Sequence, residues 1–431
     1  MDNKLILPTQ QQIEWADCEI GVIIHMDMFT FVNMHYEDPP PPVSTFNPEE
    51  LDTDQWLEAA AAMGAKYAVF VAKHCSGFSM WPTEAHKYSV KHSPFKNGTG
   101  DIVADFFASC KKYGLRPGLY CSLQCNSYYD VELPCHHRSG DPKKQQEYYE
   151  MCMKQLTELW TRYGDIFEIW FDGGVPPISE GGPDVAGLLH NLQPNSVVFQ
   201  GPLGTSSLVR WGGNERAEVS ENCSSIFRFR TQRNDGLSDQ EYLGYGNQDG
   251  DTWAPVEADT PNRDASRAYM QGWFWQPDED NTVFPAEYLF DRYLKSVGRN
   301  CNLLIGMPID NRGLFPEADK KEFLRFAEIR NRIFGNPLSE SIDNCKSVEL
   351  KCDNSAGYVA FGEDISKGER VRGYIMRGFD STDNAVFKYE GKVIGHKRIL
   401  ELPEDVKKVT LEITSSVAEP KMKFLQLFGK L

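Results

Sequence analysis

Asp172 has the setting in this chain that best suits chemistry. It ends the apolar run Phe167-Glu168-Ile169-Trp170-Phe171 and is followed at once by Gly173-Gly174. Apolar surroundings raise the pKa of an unpaired acid, so such a carboxylate stays ionised only where hydrogen bonds or a cation support it. A rigidly held, ionised carboxylate beside open space suits nucleophilic attack. A second carboxyl, protonated at rest, then protonates the leaving oxygen and later activates water, the two-carboxyl pattern of glycoside hydrolysis. Glu215 and Glu257 are the positional candidates for that second group. Both also suit surface or ion-pair roles, and Asp172 also suits a helix cap. His25 and His74 stand at the ends of apolar runs, placed either to donate to hydroxyl groups or to serve as satisfied structural side chains. His136 and His137 fall in a polar loop and are expected to be solvated.

These residues need elements that place them together. Short apolar runs without polar alternation occur at 22–25, 67–72, 117–122, 167–171, 196–200, 272–275 and 302–306, and are read as buried parallel strands. Helical patterns lie between them: one capped by Asp52 or Thr53 and stopped by Gly64, then 101–113, 143–163, 285–297 and 316–334. The alternation predicts a TIM-like (β/α)8 barrel over residues 1–336, with chemistry at the C-terminal ends of its strands. An open doubly wound sheet is disfavoured, because no glycine-rich phosphate turn follows the first strand. Beyond Gly335-Asn336-Pro337, short alternating runs at roughly ten-residue spacing predict an antiparallel β-sandwich over 337–431. Pro39-Pro40-Pro41-Pro42, after the first strand, is expected to form a rigid loop shaping the barrel mouth.

Composition narrows the partners. The chain has 431 residues, 41% of them hydrophobic, and a formal net charge of −17. That acidity repels phosphate backbones and anionic lipid, so neither nucleic acid nor membrane is expected as a partner. No run reaches the roughly 20 apolar residues of a membrane span. The 11 cysteines show no zinc-site spacing and are expected as buried free thiols. This favours a cytoplasmic location, or a secreted or periplasmic one if a leader precedes the chain. No cofactor or metal is expected. A metal-dependent hydrolase drawing on His25, His74 and Asp172 is disfavoured because the first strand carries a lone histidine. The 9 Trp, 18 Tyr and 25 Phe are mostly core candidates, and some are expected to line a sugar-binding groove.

Five ordered blocks resemble one family. They are Glu19–His25; Phe46–Asp52 with Gln55-Trp56; Gly64–His74 with Gly77-Phe78 and Met80-Trp81-Pro82; Tyr163–Gly173; and Ser296–Leu304. Together they resemble the family 29 glycoside hydrolases, the retaining exo-α-L-fucosidases. The resemblance implies a barrel with a C-terminal β-sandwich, and Asp172 as nucleophile. Arg210-Trp211-Gly212-Gly213-Asn214-Glu215 is similar to the branch that prefers α-1,3 and α-1,4 linkages, as is Trp253–Asp259 with Arg263 and Trp273. Glu215 is thereby the implied acid/base. Glu257, Arg263, Trp81, Trp170, Trp211 and Trp273 become implied pocket residues, together with His25 and His74. An oligosaccharide or glycoconjugate is the implied substrate. Three pocket walls depart from the family pattern. Its His-His-Asp-Gly-Phe block reads His74-Cys75-Ser76-Gly77-Phe78 here, its Glu-Trp pair aligns with His35-Tyr36, and its Ser-Pro-Trp run reads Ser122-Leu123-Gln124-Cys125. A thiol is a poor donor beside an imidazole, and losing one sugar hydrogen bond costs about 1–3 kcal/mol. The expected sugar is therefore α-L-fucose or a relative such as L-galactose, and the alternative is a non-catalytic sugar-binding relative.

Overall fold

The computed structural model describes residues 5–236, 240–341 and 347–430. Eight parallel strands close a barrel: β1 (Ile20–His25), β2 (Tyr67–Lys73), β3 (Arg116–Cys121), β4 (Glu168–Trp170), β5 (Val197–Phe199), β6 (Leu208–Trp211), β7 (Val256–Thr260) and β8 (Cys301–Pro308). Neighbours in sequence are neighbours in space, and β1 pairs with both β2 and β8, so no edge is left open. β1, β2 and β8 are buried at every position, which accounts for their continuous apolar runs.

The strand assignments need correction in one part of the barrel. The run 272–275 is not a strand: it lies at the end of the 3₁₀ turn Tyr269–Gly272 and just beyond it. The strands there are β6 and β7, whose Arg210, Glu257 and Asp259 made them look like polar strand ends. Arg210 is fully buried, and its guanidinium donates to the carbonyls of Leu243, Ala254 and Ser224.

The outer helices include α1 (Gln10–Ala16), α2 (Thr53–Met63), α3 (Ile102–Tyr113), α4 (Pro142–Arg162), α5 (Val185–Leu192), α6 (Ala286–Lys295) and α7 (Glu317–Phe334). Asp52 caps α2 through Asp54 N and Gln55 N, and left-handed Gly64 ends it. Asp101 and Gly114 do the same for α3. α1, unforeseen in the sequence, carries a Thr9/Gln12 capping box and closes the barrel floor. From it Gln12 donates to Leu208 O and Trp253 O, and Trp15 Nε1 donates to Glu168 Oε1 at 3.2 Å.

The C-terminal strands are β9 (Ser339–Ser341), β10 (Ser347–Glu363), β11 (Val371–Phe379), β12 (Ala385–Gly391), β13 (Arg398–Ser416) and β14 (Met422–Phe428). They form an antiparallel sheet in the order β9-β14-β10-β13-β11-β12 around its own apolar cluster. The runs at 348–350 and 357–361 belong to one long strand, β10, and those at 398–401 and 408–413 to β13; register shifts near Ala356 separate the halves. This domain meets the barrel at the N-terminal end of β8, where Asn300 N donates to Lys397 O and Asn300 Nδ2 to Glu369. Buried Glu369 also accepts from Ser224 Oγ and Ser225 N. The strand ends that carry Asp172 and His25 lie at the opposite face.

Arg263, expected at the pocket, is instead fully buried in an ion pair with Asp319 of α7, through Nε at 3.1 Å and Nη2 at 2.6 Å. Asn262 Nδ2 donates to the same carboxylate. The pair ties the loop after β7 to the last barrel helix. Removing one partner strands a buried charge, so we predict that Asp319→Ala lowers unfolding free energy by about 3–5 kcal/mol. Urea denaturation checks this, and a loss under about 1 kcal/mol would refute the structural role.

Candidate functional site

At the C-terminal face, two adjoining cavities share Tyr36, Trp170, Asp172, Glu215, Asp259 and Trp273. The inner one, about 50 Å³, adds Ile23, His25, His74 and Tyr120. The outer one, about 390 Å³, adds Cys75, Ser122, Gln124, Cys125, Leu133, Phe199 and Gln200, among others.

Asp172 is placed by the end of β4. Phe171 N donates to Phe199 O, extending the ladder by one residue before the chain turns out. The turn needs Gly173 and Gly174, with φ of +70° and +79°. A Cβ on Gly174 would lie 2.9 Å from Asn234 O, so backbone packing demands glycine there as well. Gly173 N donates to Gln200 Oε1 at 2.9 Å, and Gln124 Nε2 donates to Gly174 O at 3.0 Å. Tyr120 OH donates to Asp172 Oδ2 at 2.9 Å. Burial raises the Asp172 pKa, and the tyrosine hydroxyl counters that shift.

Glu215 reaches both cavities from the loop after β6. Although its residue is exposed at the rim, the pKa of its carboxyl is raised, first by desolvation and then by the Asp172 charge, with a hydrogen bond from Trp273 opposing. Asp259 is a third carboxyl. It is buried, accepts from Trp211 Nε1 at 2.7 Å, and its pKa is pushed well above the usual range by burial and by Glu215. No Lys or Arg lines either cavity among the described residues. A fourth lining carboxyl, Asp235, lies 3.7 Å from the Arg233 guanidinium, whereas Asp172, Glu215 and Asp259, gathered without a cation, hold protons between them rather than ionise together.

His25 and His74 flank the inner cavity, both buried. Desolvation takes the His25 pKa down to about 3 and that of His74 well below its usual value, so both rings are neutral. The Nδ1 atom of each is buried and makes no well-formed hydrogen bond among the described residues. His74 stacks on Tyr120 at 5.4 Å, and His25 packs against Trp273 at 5.1 Å.

Of the residues singled out in the sequence, Asp172, Glu215, His25, Tyr36, His74, Cys75, Gln124, Trp170, Trp211 and Trp273 line one or both cavities. Four others do not. His35 is exposed on the loop, its N–H donating to Asp38. Trp81 is fully buried, with Nε1 donating to Glu158. Arg263 is paired as described above. Glu257 lies beneath the site, accepting from Tyr67 OH at 2.5 Å and Trp170 Nε1 at 2.8 Å. The thiol expectation also changes: Cys75 and Cys125 form a disulfide joining the loops after β2 and β3, while the other described cysteines are free. His136 and His137 pair with Val131-Glu132 in a two-stranded hairpin.

Tyr120 and Asp259 were not assigned to the site from sequence. The register alone would have found them, since Tyr120 is the β3 partner of Trp170 and Asp259 shares the inward face of β7 with Glu257. Among the described residues, no group of three or more His, Cys, Asp or Glu is arranged to hold a metal ion, and no helix is long and apolar enough to cross a membrane.

Known proteins share this arrangement. The family model for α-L-fucosidase matches residues 9–329. Alpha-L-fucosidase 1 of Arabidopsis thaliana is 35% identical over 342 residues, which is 78% of this chain and 62% of the Arabidopsis protein, so this chain spans under two thirds of that relative. A candidate α-L-fucosidase of Oryza sativa subsp. japonica is 31% identical over 98% of this chain and 85% of its own length. A crystal structure of a candidate α-L-fucosidase from Bacteroides thetaiotaomicron superposes with a TM-score of 0.91 at 34% identity, covering 99% of this chain and all of that one. A match over most of the chain, on the same barrel and β-domain, places it in a known group: the chain belongs to the α-L-fucosidase family of glycoside hydrolases.

Proposed function

We propose that the chain is a retaining exo-glycosidase that removes terminal α-L-fucose, or the related L-galactose, with Asp172 as nucleophile and Glu215 as acid/base. The observation that carries this is the pair itself. Two carboxyls border the same cavities, one held by the Tyr120 hydroxyl and the other raised toward its protonated form. In the first step Asp172 bonds to the anomeric carbon as the glycosidic C–O bond breaks, and the proton of Glu215 passes to the departing oxygen. In the second, Glu215 takes a proton from water, whose oxygen displaces Asp172 and restores both carboxyls. The neutral imidazoles of His25 and His74 meet sugar hydroxyls without adding charge. We also place the boundary between catalytic barrel and β-domain after residue 336, in the turn between α7 and β9.

The test is a panel of aryl α-L-glycosides with fucoside and L-galactoside side by side, the anomeric configuration of the first-formed sugar being followed by NMR. Retained configuration is expected, while ligand binding without release of any aglycone would favour a sugar-binding protein. Asp172→Ala should lower turnover by about 10⁴-fold or more. Azide should restore turnover of an activated aryl glycoside to Glu215→Ala, by taking the place of the water that this residue activates.

The pH profile of kcat/KM should be bell-shaped. Activity needs Asp172 ionised and is lost as pH falls through a pKa that burial has raised. It needs Glu215 protonated and is lost as pH rises through that residue's raised pKa. Tyr120→Phe removes the bond that lowers the first value, so the acid limb should move to higher pH. Trp273→Phe removes the bond that lowers the second, so the basic limb should also move up. Unmoved limbs in both variants would refute these assignments.

A further inference from the structure

The two cavities differ in chemistry. The inner one is lined by His25, His74, Tyr120 and the carboxyls. The outer wall is built from Leu133, Pro134, the Cys75–Cys125 disulfide, Phe199 and Trp211. Tyr36, Ser122, Asp235 and Gln271 also line it, and three of its other polar side chains bond within the protein. Gln124 donates to Gly174 O, Gln200 accepts from Gly173 N, and Trp211 donates to Asp259. Leu133 is 63% exposed, the most exposed large hydrophobic side chain among the described residues. It is held out rigidly, because its hairpin (131–132 with 136–137) is fixed by Cys135 N to Gln124 O and by Gln145 of α4 to Cys135 O. An exposed leucine beside a disulfide, at the mouth of a cavity that reaches Asp172 and Glu215, is a surface that gains by covering.

From this we propose that the outer cavity is a leaving-group site for an apolar aglycone, an alkyl or aryl body carried on the departing oxygen, with Leu133 and the Cys75–Cys125 disulfide as its specificity determinants. The inference rests on the fucosidase reading for the identity of the sugar but not for the character of the wall. The occupant follows from continuity: whatever fills the outer cavity is bonded to the sugar held beside Asp172, and the wall offers it more carbon and sulfur than hydrogen-bonding groups.

The experiment is a series of n-alkyl α-L-fucosides from methyl to hexyl, in which the chemistry of the departing alcohol is nearly constant while its apolar area grows. Each methylene fully buried contributes about a fourfold gain, so even partial burial predicts a rise in kcat/KM of about tenfold or more from methyl to hexyl. The hexyl-to-methyl ratio should shrink to under about threefold in Leu133→Ser, where the exposed apolar contact is gone. A flat series in the unmodified protein, with methyl fucoside turned over, would overturn the proposal and leave the fucosidase reading standing. Should no fucoside be hydrolysed, that reading falls, and the wall is read by tryptophan fluorescence titrated with methanol through n-hexanol. Affinity that rises with chain length, and does so less in Leu133→Ser, supports the apolar site. No dependence on chain length overturns it.

Discussion

Glu257 is buried inside the barrel and accepts one hydrogen bond from Tyr67 of β2 and another from Trp170 of β4. Those bonds span the barrel interior and fix the plane of the Trp170 indole. That ring is sandwiched between Tyr120, 5.3 Å away, and Phe199, 4.0 Å away, both nearly parallel to it. Tyr120 in turn presents its hydroxyl to Asp172. A carboxyl that never meets the cavity thus sets the posture of the one that borders it. Burial drives the Glu257 pKa up to about 7, and the neighbouring Glu168 well above the usual range, so the floor of the barrel holds protons of its own. Gly21 lets this layer form, since a Cβ there would fall 2.3 Å from the Tyr67 ring.

Much of this was legible in the sequence where periodicity and burial agree. The runs of β1, β2 and β8 are apolar because neither face meets water, and caps such as Asp52 and Gly64 mark helix ends by backbone chemistry alone. Asp172 was legible for the same reason, as an acid closing an apolar strand. Sequence reasoning failed where the barrel interior is polar. β7 carries Glu257 and Asp259 inward, and β6 carries Arg210 on its outer face, each satisfied by partners contributed from distant segments, so they do not resemble buried strands. Glu257 and Arg263 were expected in the pocket because family patterning marks a residue as constrained without saying by what. The constraints are an indole under the site for one and Asp319 for the other. The disulfide was hidden because Cys75 and Cys125 lie 50 residues apart, and only the adjacency of β2 and β3 brings their loops together.

The electrostatics of the site follow from what is missing around it. At the loop after β7 the buried Arg263 charge is paired with Asp319. At the mouth, Asp172, Glu215 and Asp259 line cavities with aromatic walls and neutral imidazoles. Hydroxyl and indole donors are then the means of separating their behaviour: Tyr120 favours the charged form of Asp172, and Trp211 that of Asp259. Directional donors do this without a nearby cation, whose field would lower the pKa of all three carboxyls together.

The β-domain grips the barrel at the N-terminal end of β8, through Asn300, Glu369 and the backbone of Lys397. The contact continues along the flank, where Tyr358 and Phe428 pack on Phe290 of α6 and Phe334 of α7, away from the strand ends that carry Asp172. Attached to a solid support through an exposed residue of the β-domain such as Val386, the molecule would be held by a part that lines neither cavity. Two such molecules joined through their β-domains would keep both cavities free, since no described residue beyond 336 lines either one.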